Sequence, residues 1–224
     1  MNSRRDRALL ATIGVKSVRL SVTPIRHIIG RGFGLVLLLA WAAAPLPVPL
    51  AQSIHAESPA HQQFLQRLVS AAVERTHHYV RYDPAYVRIP YPGGDVPADT
   101  GVCTDEVIRS YRAVGVDLQK EVHEDIARDF SAYPRRWQGS PGKPDPNIDH
   151  RRVPNLMVFF TRQGESLPIT NHADDYSPGD LVSWDLGGGV PHIGIIVDRK
   201  SPLTGRYMIV HNIGQGPQME ERAV

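Results

Sequence analysis

PGDLVSWDLGGGVPHIGIIVDRKSPLTGRYMIVHN, residues 178–212, is the stretch on which the reading of the fold turns. Over 180–186, 192–198 and 207–212 apolar side chains alternate with polar or small ones, and Gly- or Pro-bearing turns separate the runs. A period of two with such breaks predicts three strands, the last two joined as a hairpin through 199–206. Upstream the period lengthens. Ser58 and Pro59 are a cap and a first helical residue, followed by Phe64, Leu65, Leu68, Val69, Ala72 and Val73 at helical spacing. A second helix is expected from Cys103 to Val114, with Val107, Ile108, Tyr111 and Val114 on one face and Gly115 as its stop. A shorter helix is expected over 118–130. Another opens at Pro154 and runs through Leu156, Phe159 and Phe160 to Gly164. Residues 79–100 and 131–150 are rich in Pro, Gly and Asp and read as turns, short extended pieces and loop. Helices first and an antiparallel sheet later is the α+β pattern, with N-terminal helices packed on a C-terminal sheet.

At 224 residues and 42% hydrophobic, the chain buries a core without staples. Its one Cys excludes an internal disulfide framework and any multi-cysteine zinc or iron–sulfur site. The formal charge of +2 is unevenly placed. Seven basic residues (Arg4, Arg5, Arg7, Lys16, Arg19, Arg26, Arg31) stand against Asp6 in residues 1–51, leaving eighteen basic and twenty-two acidic residues beyond, net −4. The basic character belongs to the N-terminal segment and gives no reason to expect a nucleic-acid partner.

That segment reads as an export signal. A basic stretch ends at Arg31, and the apolar run GFGLVLLLAWAAA follows over 32–44, broken by Pro45 and Pro47. Thirteen helical residues rise only about 20 Å, short of the roughly 30 Å hydrocarbon core. The expected organisation is a signal peptide over 1–51, with cleavage after Ala44, Ala51 or Ala56, and one domain over 52–224. An uncleaved N-terminal anchor is the alternative. Either way the domain is expected outside the cytoplasm, in the periplasm, with no stable membrane span once the signal is removed.

In an exported chain a lone Cys103 is a candidate reactive thiol, weighed against a small buried apolar residue. It opens a helix, where unpaired backbone N–H groups and the dipole favour thiolate and stabilise an oxyanion. A thiol nucleophile needs a base. His192 begins one strand and His211 ends the next, so a hairpin brings the two imidazoles together, one as base and one to orient it. The alternative is two histidines at strand ends by coincidence.

Tyr91-Pro-Gly-Gly, Gly101-Val-Cys103-Thr-Asp105, Pro178-Gly-Asp180-Leu-Val182, His192-Ile-Gly194-Ile and Val210-His211 follow one another in an order that resembles the NlpC-like cell-wall cysteine peptidases, relatives of papain. GVCTDEVIRSYR, NIDHRRVPNL and IVHNIGQGP are similar to the YijF-type exported bacterial family. The resemblance implies a papain-like fold and a cysteine peptidase or amidase acting on peptidoglycan peptides. It implies Cys103 as nucleophile, His192 as base and His211 as the orienting residue, with Asn212 a rival for that last role. Tyr91, twelve residues before the thiol, is implied near the oxyanion. No cofactor or metal is implied. Thr104 and Val102 depart from the family's Ser and Asp, and the interval from 192 to 211 is long. The resemblance also implies a further strand beyond the position of Val224 in relatives, so an exposed sheet edge is expected here.

Two other readings compete. One is a non-catalytic wall-binding module on the same fold. The other is a metal-dependent hydrolase using His123-Glu124-Asp125 and Asp149-His150-Arg151-Arg152. Neither cluster has a tight zinc spacing, and an ion-pair network pinning the 131–150 loop is the plainer expectation. Arg151 and Arg152 are alternatively a grip for a wall-peptide carboxylate.

Overall fold

The computed structural model describes residues 18–21, 58–134 and 142–221. Four helices precede most of a six-stranded antiparallel sheet, so the α+β expectation holds. The first helix, α1, covers Pro59–Arg75, with the Ser58 hydroxyl accepting the His61 N–H at 3.2 Å. Helix α2 is Cys103–Ala113, ended at Gly115 in a left-handed conformation (φ +89°). Helix α3 is Leu118–Arg128, and α4 is Val153–Gln163 with Pro154 in its first turn. The sheet runs β4-β1-β5-β6-β7-β8, with β1 Val18–Ser21, β4 Glu165–Leu167, β5 Leu181–Asp185, β6 Pro191–Lys200, β7 Tyr207–Asn212 and β8 Pro217–Glu220. A separate parallel pair joins β2, Arg81–Tyr82, to β3, Thr100–Gly101.

Alternation sorts the two faces of the sheet. Leu181, Ile193, Ile195, Val197 and Val210 pack with Leu68, Ile108, Leu156 and Phe159 of the helices in the main core. Val182, Trp184, Ile196 and Ile209 form a second, smaller cluster with Tyr176. The predicted strands are β5, β6 and β7. Strands β1, β4 and β8 were not expected. β1 lies inside the stretch read as an export signal, and the remainder of 1–51 is outside the described residues. β8 pairs with β7 from Ile209↔Glu220 to Asn212↔Pro217 and becomes the sheet's outer strand.

Among the described residues no helix is long and apolar enough to cross a membrane.

Candidate active site

The site is set by how α2 meets β6. Tyr82 pairs with Gly101 across β2–β3, which fixes the chain entering Val102 and Cys103. The Asp105 carboxylate turns back and accepts the Val102 N–H at 2.7 Å, capping α2 from within its first turn. Arg151 grips the same carboxylate with two bonds, Nε to Oδ1 at 2.8 Å and Nη2 to Oδ2 at 3.0 Å. Both side chains are 2% exposed, so this charge pair is fully inside. Arg151 also donates to the carbonyls of Ala85 and Asp83, and Thr104 donates its hydroxyl to the Arg151 carbonyl at 3.1 Å. Arg151 is therefore a structural strut of α2. It is buried and already paired, which corrects the reading of it as a grip for an external carboxylate.

Cys103 is buried at 5% exposure and packs in the main core with Ile193 of β6. Ile193 directly follows His192 in β6. Burial pushes the thiol up to about 12, and the Asp105 charge adds to the rise, against the N–H groups of Ile193, Thr104 and Cys103 itself. The expectation of a thiol lowered by the helix terminus is overturned here. Desolvation of a thiolate outweighs a few favourable dipoles when water is absent.

His192 and His211 meet across the sheet. Ile195↔Val210 pairing sets His211 opposite Gly194, and His192 is the diagonal neighbour on the same face. The rings lie 5.1 Å apart at 89°, with His192 Nε2 3.1 Å from His211 Nδ1. Trp184 closes over both, 4.7 Å from the His192 ring and 5.3 Å from the His211 ring. On the far side, Glu220 of β8 stands 3.9 Å from His211 Nε2. Gly194 permits this approach. A Cβ there would sit 2.5 Å from Ile209 Cγ2, 2.9 Å from the Val210 carbonyl and 3.2 Å from His211 Cβ.

Other predicted residues fall elsewhere. Asn212 is buried and its side-chain oxygen accepts the Gly214 N–H at 3.1 Å, a turn contact. Tyr91 is 42% exposed, with its ring 5.2 Å from His123 and its hydroxyl 3.4 Å from Glu124 Oε1. The tyrosine beside the thiol is Tyr82, whose hydroxyl is raised by burial and by the proximity of Cys103 and Asp105. Nothing in its local sequence marks Tyr82; only the pairing of β2 with β3 brings it there. Glu220 is equally unmarked, and the pairing of β8 with β7 brings it near His211.

The two polar clusters resolve as fold-holding contacts. His123 Nδ1 is 2.9 Å from Asp149 Oδ2, which also accepts the Asp145 N–H at 2.7 Å. Asp125 receives Arg128, Arg162 and Tyr133. Burial holds His150 near pKa 3, with Arg151 adding to the fall. Among the described residues no group of three or more His, Cys, Asp or Glu is arranged to hold a metal ion.

Comparison with known proteins now gives the family. A family model described as "Domain of unknown function (DUF1287)" matches residues 69–224. The chain belongs to the DUF1287 family. It is 51% identical over 140 residues to the "Uncharacterized protein YijF" of Escherichia coli (strain K12), covering 62% of this chain and 67% of that protein. No solved structure matches. The aligned DUF1287 region takes in Cys103, His192, His211 and the Arg151–Asp105 strut, so the whole site falls within it.

Proposed function

We propose that this DUF1287 protein is an exported, periplasmic cysteine hydrolase of papain-like, NlpC-like architecture, cleaving amide bonds in peptidoglycan peptides. The observation that carries the reading is the meeting of α2 and β6. The sole cysteine opens a helix and packs with Ile193, and the residue before Ile193, His192, shares a hydrogen bond with His211.

A thiol held near 12 does not rest as a thiolate, so the proton leaves during attack. His192 takes it as the sulfur–carbon bond forms, and His211 steadies the imidazolium, with Glu220 behind it. The oxyanion lies toward the Cys103 N–H at the helix start. His192 returns the proton to the leaving amine as the C–N bond breaks. Water, deprotonated by the same imidazole, then attacks the thioester and restores the thiol.

The test is iodoacetamide labelling of Cys103 across pH 4–10 alongside cleavage of a wall stem tripeptide. Cys103→Ser and His192→Ala are each expected to lower cleavage by at least a hundredfold, and prior alkylation to abolish it. Cleavage that survives alkylation sinks the reading. A second reading, a wall-binding module, is favoured by the 5% exposure of Cys103 and its raised pKa. Under it, wall peptide binds and is never cut.

A further inference from the structure

A cleft of about 490 Å³ opens between residues 86–89 and 143–147, lined by Tyr86, Arg88, Ile89, Lys143, Asp145 and Asn147 together with two prolines. Its volume is within the range of small-ligand sites. Its polar groups divide into those that hold it together and those that remain. Asn147 ties the two walls, accepting the Ile89 N–H at 2.9 Å through Oδ1 and donating Nδ2 to the Tyr86 hydroxyl at 2.9 Å. Tyr86 donates to Asp145 Oδ2 at 3.0 Å, and Asn147 donates its N–H to Asp145 Oδ1 at 2.9 Å. From behind, Gln119 of α3, fully buried, donates Nε2 to the carbonyls of Pro90 and Pro146, one at the end of each wall.

This is a built cleft. The buried amide at its base fixes the separation of the walls through its two Nε2 bonds, while its Oε1 accepts the Gly94 N–H at 2.8 Å. Asp145 is spent on Tyr86 and Asn147. Arg88 and Lys143 are exposed on the rim, and neither makes an ion pair or hydrogen bond among the described residues. Two cations against one carboxylate leave the cleft with a charge of +1. That suits a single carboxylate better than a phosphate dianion. Ile89 and the prolines supply apolar contact for whatever carries the anion.

We propose that this cleft binds a carboxylate borne on a peptide, with Arg88 and Lys143 receiving the anion. The inference does not depend on the chemistry at Cys103. If that hydrolase reading also holds, the cleft is a subsite for an acidic residue of the substrate, since Arg151 anchors Ala85 beside it to the first turn of α2.

The experiment is an NMR titration of the full chain with N-acetyl-alanyl-glutamate α-amide, which carries one carboxylate, with the matching glutamine peptide and with inorganic phosphate. The acid is expected to shift amides within 86–89 and 143–147 saturably, and to bind at least fivefold more weakly to Arg88→Gln and to Lys143→Gln. The glutamine peptide is expected to bind the unaltered chain at least fivefold more weakly than the acid. Both variants lie on the rim, and their circular dichroism is expected to match that of the unaltered chain. Equal binding of the two peptides, or unaltered affinity in both variants, overturns the site. Phosphate binding as tightly as the acid overturns the carboxylate assignment. The titration reads binding alone, so failure of cleavage at Cys103 leaves its result standing.

Discussion

Two residues carry charge or space in ways that a single substitution exposes. His150 is buried, its Nδ1 has no hydrogen-bond partner, and burial lowers its pKa from 6.5 to about 3. The folded state therefore binds fewer protons than the unfolded state below pH 6.5. Stability attributable to this residue is complete above 6.5 and falls with acid toward pH 3, by roughly 1.4 kcal/mol per unit at most. Urea midpoints between pH 7 and 4 are expected to fall, and the slope to flatten in His150→Gln. Gly194 acts through space. Gly194→Ala puts a methyl against Ile209 and His211, where backbone as well as side chain must give. The expected result is a loss of about 1–3 kcal/mol from overpacking. A broken His192–His211 contact should accompany it, seen as altered imidazole resonances in NMR.

Elements were legible where a repeating pattern wrote them and illegible where a tertiary partner made them. Helices α1, α2 and α4 follow from apolar spacing with Ser58, Pro59 and Pro154 at their starts, and β5 to β7 from alternation. β8 reads PQME, with no alternation strong enough to announce a strand, and exists because β7 offers an edge. Cys103 and the histidine pair were readable as helix start and hairpin. Tyr82, Gln119 and Glu220 were not, because residues 9 to 29 positions away define what they do. The strut on α2 was missed for the same reason. Arg151 looked like a spare cation, yet Asp105 lies 46 residues earlier and buried beside it. Removing one partner leaves a buried charge alone, so Arg151→Ala is expected to cost about 3–5 kcal/mol in urea unfolding. Asp105→Ala should cost similarly and also free the Val102 N–H. A double-mutant cycle with the two checks that the losses are shared, since together they should fall well short of additive.

At the scale of the whole molecule, the sheet and the proposed export route make competing demands on one strand. Val18–Ser21 lies between β4 and β5, pairing with β4 from Arg19↔Leu167 to Ser21↔Glu165 and with β5 from Val18↔Ser183 to Leu20↔Leu181. Among the described residues β4 has no other strand beside it. A signal cleaved after Ala44 or Ala51 takes β1 with it, leaving β4 without its ladder and β5 as a new edge. The main core survives that loss, because α1 to α4 and β5 to β7 supply nearly all of its buried residues. A chain beginning at residue 52 is therefore expected to unfold cooperatively, with a midpoint lower than that of the full chain. Its amides at 165–167 and along β5 should exchange with solvent much faster than those of β6 and β7. Hydrogen exchange on the two forms checks this. Failure of the shorter chain to fold would make β1 an obligatory strand, and cleavage within 44–51 would then be incompatible with a folded domain. In that case the N-terminal segment stays attached, and the export proposal requires an anchor rather than a cleaved signal.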